Sequence, residues 1–287
     1  MLRAEKTITS WSSLVACLKE FPRMGLACRG QASKYDGTVR AKIDRCLEHR
    51  HLTLPYRMRM ERAICQRFRE HAPTYLSEVE SRYAFASRWL QLVVMQHYGA
   101  PTRLLDWTKS PWVAAFFAVF GEWNQEGQIS IFSRSHLEQR LKRGNLKREL
   151  AGFVWGPHES DKSFSDRAWD HAAKNDRLFD ERKVASLSPW VATYYSREVH
   201  FPRLTAQQGL FTFSSKPNLD HWGEIKKLIK NHCFVIKIPG AAKLDILQGL
   251  ENMGLTAATL FPGADGIGKS MEGFARTWVP AERRRRM

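Results

Sequence analysis

The chain has 287 residues, 43% hydrophobic and 26% charged, which is enough to bury a sizeable core and excludes a disordered polymer. Its 45 Lys and Arg against 29 Asp and Glu give a net charge of +16, a field that draws phosphate polymers and anionic cofactors or simply keeps the chain in solution. No apolar run approaches the roughly 18–20 residues that cross a bilayer, no secretory signal opens the chain, and five widely spaced Cys without C-x-x-C argue against disulfides and zinc, so a cytoplasmic protein without a membrane partner is expected.

Residues 11–21 place Trp11, Leu14, Val15 and Leu18 on one helical face behind Ser10, a fair N-cap. Residues 26–29 read as a short strand that ends by presenting Arg29, followed by Gly30 and Gln31. The stretch from about 34 to 73 is basic, amphipathic and helical in character. A strong helix is predicted over 84–98, closed by Gly99 in a left-handed conformation and by Pro101. TRLLDW then reads as a buried strand or tight turn. Ser110-Pro111 has the form of an N-cap with Pro at the first helical position, and the helix it starts is apolar nearly all round, so Phe116, Phe117 and Phe120 are expected to be almost fully enclosed.

Residues 128–133 read as a strand and 135–150 as a very basic helix; 155–182 carry no clean period and read as loops with short helices. Further on, 206–213 is a strand candidate, 218–230 a helix, 233–238 a strand, 241–253 a helix closed by Gly254, and 255–262 a strand or a turn with a short strand. Asp265-Gly266 reads as a turn. The fold class is therefore α+β, a mixed central sheet flanked by helices.

Two motifs stand out: CRGQ at 28–31, and QHYGAPTRLLDWTKSPWVAAFFA from Gln96 onward. Together they resemble the FRG domain family, named for an aromatic-Arg-Gly motif and carrying a Gln-His-Tyr-Gly-x-Pro-Thr-Arg-Leu-Leu-Asp-Trp-Thr block before an Ala/Phe-rich helix. The resemblance continues through Arg203, Gln207, Gly209, Phe211 and Thr212, then Lys243, Leu260–Pro262 and Asp265-Gly266, and so spans roughly 25–270. It implies a single FRG-type domain over 1–287 with a basic, frayed tail from about 280. Cys28 stands where the family has an aromatic residue. The layout is also similar to ADP-ribosyltransferases: an early strand ending in Arg-Gly, then Thr108 leading into a helix with Ala114, Ala115, Phe117 and Phe120. Their late strand Glu is replaced by Gln207 and Gln208.

That second likeness implies an NAD-dependent ADP-ribosyltransferase-like enzyme of bacterial or phage conflict, acting on a protein or nucleic-acid acceptor. Such chemistry needs a cation for the pyrophosphate, an aromatic shelf and a carboxylate. Arg29 suits the first, or forms a structural salt bridge with Asp106. Gly30 lets backbone approach a ligand or makes a tight turn; Gln31 bonds a ribose or faces solvent. His97 and Tyr98 are a titratable group and a stacking ring, or a helix cap and a core residue. Thr102, Arg103, Asp106 and Thr108 lie between apolar elements, where buried charges need partners; Asp106 is either the catalytic carboxylate or the anchor of Arg29 or Arg103. One of Gln207 and Gln208 should face inward from a strand. The alternative is a non-catalytic nucleic-acid or nucleotide-binding module, carried by the +16 charge and the basic stretches near 57–69 and 134–148.

Overall fold

The computed structural model describes residues 5–22, 24–33, 38–141, 143, 179–194 and 201–278. Its centre is a mixed sheet of seven strands among the described residues: β1 (Glu5–Thr7), β2 (Leu26–Gln31), β3 (Leu105–Thr108), β4 (Gly127–Ser133), β5 (Val191–Tyr194), β6 (Gly209–Ser214) and β7 (Cys233–Ile238). The order across the sheet is β1-β7-β4-β2-β3-β6-β5. β1 pairs with β7 in parallel, and every other neighbour is antiparallel.

Helices cover both faces. Alternate side chains of a strand point to opposite sides, and β2 divides accordingly: Leu26 and Cys28 join one core, Ala27 the other. The first core packs the sheet against α1 (Trp11–Lys19) and α6 (Pro111–Val119). In the second the sheet meets α5 (Arg88–His97), preceded along the chain by α2 (Lys42–Cys46), α3 (Leu54–His71) and α4 (Glu78–Ala86). No helix of the described residues is long and apolar enough to cross a membrane.

The local signals act as the residue types require. Ser110 Oγ accepts from Val113 N and Pro111 opens α6. Gly99 and Gly254 take φ of 73° and 78°, ending their helices in left-handed turns. Gly30 has a packing role: a Cβ there would lie 1.8 Å from the Ala114 carbonyl oxygen, so α6 can press onto β2 only over glycine.

Several expectations are corrected. The helix read as 84–98 begins at Arg88, because Ser87 is extended and caps it by accepting from Leu90 N. Residues 255–262 are not a strand: Thr256 and Thr259 form a reciprocal capping box, and Ala257–Leu260 is a helix, α12. Asp265-Gly266 is not a turn but the start of a 14-residue helix, Ala264–Thr277. The strand read from 206 starts at Gly209, because Pro202 opens a short helix, α9 (Pro202–Ala206), and Gln208 takes a positive φ of 48°. Phe116 is fully buried, whereas Phe117 and Phe120 are only partly so. The strands β1 and β5 lie where no strand was read. The helix expected over 135–150 is α7, Arg134–Leu141, as far as the described residues reach. Most of 155–182, and the tail from 280, lie outside the described residues; within 179–194, α8 spans Glu181–Ser186. The remaining helices are α10 (His221–Ile229), α11 (Lys243–Asn252) and, at Ala264–Thr277, α13.

Candidate functional site

A cleft of about 250 Å³ opens where the ends of β2 and β3 meet the C-terminus of α5 and the turn after α9. Four chain segments line it: Cys28, Arg29 and Gly30; Val93, Gln96 and His97; Asp106, Trp107, Thr108 and Phe117; and Phe201, Arg203, Leu204, Gln207 and Phe211. Arg29, Gly30, His97, Asp106, Thr108 and Gln207 are thus brought to one cavity from sequence positions far apart.

Asp106 is exposed on β3, between the buried Leu105 and Trp107, and its carboxylate faces a built support. Gln96 Nε2 donates to Asp106 Oδ2 at 2.6 Å. Gln96 Oε1 in turn accepts from the hydroxyl of Thr102 at 2.5 Å. The amide is therefore oriented by a buried hydroxyl, and the carboxylate by the amide. Arg29 meets Asp106 differently from the expected salt bridge: Arg29 Nη1 donates to the backbone carbonyl of Asp106 at 2.6 Å. A guanidinium fixed by a main-chain acceptor keeps its place whatever the protonation of the carboxylate.

His97, at the C-terminal end of α5, stacks flat on Phe201, with ring centroids 4.0 Å apart and an interplanar angle of 5°. Burial first, and then the Arg203 guanidinium, hold its pKa below the ordinary histidine value, against an opposing pull from Glu80. The imidazole is accordingly neutral near pH 7. Arg203 itself lies over the Phe261 ring, 4.9 Å from its centroid. Gln207, in the turn after α9, donates from Nε2 to the Leu260 carbonyl at 3.0 Å, leaving its amide oxygen for another partner. Behind the cleft, Trp107 Nε1 donates to Thr212 Oγ1 at 2.8 Å, and that hydroxyl bonds His221 Nδ1, also at 2.8 Å. His221 is fully buried, and burial with the nearby Arg29 charge pushes its pKa down to about 3, so it packs as a neutral ring.

Of the other residues singled out from sequence, Thr108 and Cys28 line the cleft and the rest lie outside it. Arg103 is fully buried and pairs with Glu61, so it does not reach Asp106. Thr102 acts on the site only through Gln96. Tyr98 is exposed, and its hydroxyl donates to Glu80 at 2.6 Å, outside the cleft. Gln31 is buried at the end of β2, opposite Gln128. Gln208 is exposed in its left-handed turn, where its N–H donates to the Thr205 carbonyl and its own carbonyl accepts from Lys109 N. Thr108 is buried and accepts from Ser110 N at 3.0 Å at the start of α6. Cys28 is enclosed, and burial pushes its thiol well above the ordinary range, so it offers no thiolate nucleophile. Lys243 is a strut: Nζ donates to the carbonyls of Ala32, Gly121 and Glu122 at 2.5, 3.1 and 2.8 Å.

Sequence reasoning passed over Arg203 and Phe201 as site residues. Arg203 was visible only as part of a longer family-like stretch, and nothing local marks a cleft cation on a five-residue helix. Among the described residues no group of three or more His, Cys, Asp or Glu could hold a metal ion.

The model of the FRG domain family matches residues 25–126, from β2 to the residue before β4, and so covers both Arg29 and the Gln96–Thr108 support. No curated protein and no solved structure matches the chain.

Proposed function

We propose that this FRG-domain chain binds a nicotinamide dinucleotide in the cleft and cleaves its N-glycosidic bond, transferring ADP-ribose to an acceptor in the manner of an ADP-ribosyltransferase. The observation that carries this reading is the meeting of Arg29, His97 and Asp106 in one aromatic-walled cavity. A guanidinium matches phosphate oxygens in a fixed fork. Phe117, Phe201 and Phe211 offer apolar walls for a flat ring. The volume, about 250 Å³, sits just below the ~300–1,000 Å³ typical of ligand pockets and suits the nicotinamide–ribose half, with the remainder across the open mouth.

In the proposed reaction the ribose C1′–nitrogen bond breaks and its electron pair leaves with nicotinamide. The cation that develops on the sugar is met by the Asp106 carboxylate, held in place before the reaction by Gln96. A lone pair of the acceptor forms the new bond to C1′, and its proton passes to Asp106 or to neutral His97. Gln207, its Nε2 held by the Leu260 carbonyl, offers an amide oxygen that orients without taking a proton.

The alternative of a nucleic-acid-binding module draws on the +16 charge. The basic face of α3 supports it less than its composition suggests. Arg57 is buried 3.9 Å from Asp44, and Arg59 and Arg62 lie 3.9 and 3.4 Å from Glu181. Titration calorimetry of NAD into the wild type and Arg29→Lys tests the proposal. Saturable binding that the Lys variant weakens at least tenfold is expected. Equal binding by both, or none by either, refutes it.

A further inference from the structure

Helix α13 carries its apolar side chains outward. Gly266 and Gly273 are buried, while Ile267, Met271, Phe274 and the adjoining Trp278 are 60%, 57%, 57% and 53% exposed. Their four-three-four spacing lines them up on one stripe of an α-helix. The orientation is fixed by the opposite face. A Cβ on Gly266 would lie 1.8 Å from the Phe261 carbonyl oxygen, so nothing larger than glycine fits there. Trp123 Nε1 donates to Glu272 Oε1 at 3.2 Å, Arg276 covers the Trp123 ring at 4.9 Å, and Thr277 Oγ1 donates to Glu251 Oε2 at 3.3 Å. Rolling the stripe inward would break all three contacts and drive a side chain into a carbonyl.

We propose that this stripe is a docking face for an anionic phospholipid surface, with α13 lying in the headgroup plane. Exposed Ile, Met, Phe and Trp on one side of a helix pinned from behind are the features of an interfacial helix, and tryptophan favours that boundary. The charge comes next in sequence: Arg283–Arg286 follow Trp278 by five to eight residues, and a run of four consecutive arginines after an amphipathic helix matches an anionic leaflet. A second copy of this chain is a poorer occupant. The four half-exposed side chains present on the order of 400 Å², about half of the ~800 Å² a side in a standard interface, and each copy brings a charge of +16. The lack of a spanning segment, which set a membrane aside among the partners, bears on crossing a bilayer and not on lying at its surface.

Co-sedimentation of the full chain with vesicles tests this. The wild type should pellet with phosphatidylcholine vesicles containing phosphatidylserine and not with phosphatidylcholine alone, and part of the binding should survive raised salt. Met271→Glu with Phe274→Glu should lower it at least tenfold, and Arg283→Gln with Arg284→Gln should weaken it while leaving it measurable. Where the double Glu variant loses its fold by circular dichroism, Phe274→Ser serves in its place. Absence of wild-type binding to the anionic vesicles overturns the proposal. So does equal binding by the Met271/Phe274 variant, which would mean that net charge alone holds the protein there. A wild-type dimer dissolved by that same variant would assign the face to a second copy instead.

Discussion

Gln96 holds Asp106. Its amide nitrogen donates to the carboxylate at 2.6 Å, while its amide oxygen is taken by the buried Thr102 hydroxyl at 2.5 Å. The carboxylate of the cleft is thus set by a residue ten positions earlier, on a different element. Gln96→Ala removes that support and takes the acceptor from the buried Thr102 hydroxyl. Nicotinamide release from NAD should fall by roughly tenfold to a hundredfold, in kcat more than in KM, because misplacing a reacting group by about 1 Å costs that order. An unchanged kcat would mean that Asp106 needs no holder.

Gly30 has a packing role as well as a place in the cleft wall. Gly30→Ala puts a methyl 1.8 Å from the Ala114 carbonyl oxygen, and α6 has to move. The variant should lose at least about 1–3 kcal/mol in urea unfolding, the usual cost of an overfilled core. A stability equal to wild type would show that β2 and α6 are not pressed together there.

Two neighbouring phenylalanines should behave differently. Phe116 is fully enclosed, and Phe116→Ala should cost about 3–5 kcal/mol. Phe117 is only partly buried and lines the cleft, so Phe117→Ala should cost clearly less stability and weaken ligand binding more. Equal melting shifts for the two would contradict this division.

The His97 titration should follow Arg203. The arginine helps to hold the imidazole pKa below its ordinary value. Activity that needs neutral His97 is full above that pKa and is lost as pH falls through it. In Arg203→Gln the pKa rises, so the acid limb of the kcat/KM profile should move to higher pH. A limb that stays in place would uncouple the two residues.

Asp44 is buried against Arg57, accepts from Asn218 N at 2.6 Å, and burial pushes its carboxyl up to about 6. A folded-state pKa raised above the unfolded one means that the folded protein binds the proton more tightly. The stability from this group is therefore present at low pH and is lost as pH rises from about 4 through 6. Asp44→Asn keeps the acceptor for Asn218 N. Its stability relative to wild type should improve by at most about 3 kcal/mol between pH 4 and 7.5. A difference independent of pH would contradict the assignment.

The sequence was most legible where local chemistry decides the backbone. Ser110-Pro111 and Gly99 marked their helix ends, and the apolar runs at 128–133 and 233–238 marked β4 and β7. It misled where apolar content outweighed a cap, as with Thr256 and Thr259, and where Pro202 opened a helix just before an alternating run. The three residues of β1 are all exposed, so the strand has no core face to leave a pattern. At the site, the motif residues named the neighbourhood and the fold sorted them. Arg103 went to Glu61 and Tyr98 to Glu80, while Arg203 and Phe201 entered from a segment whose residue types alone say nothing of a cleft.

The most direct measurement is nicotinamide release from NAD by wild type and Asp106→Asn, in the presence of cell extract as a source of acceptors. The substitution keeps the shape and can still accept from Gln96, but it removes the charge that would face the developing sugar cation. Release by wild type, reduced at least a hundredfold in Asp106→Asn with NAD binding and circular dichroism preserved, is the result predicted. No release by wild type, or equal release by both proteins, would contradict the account.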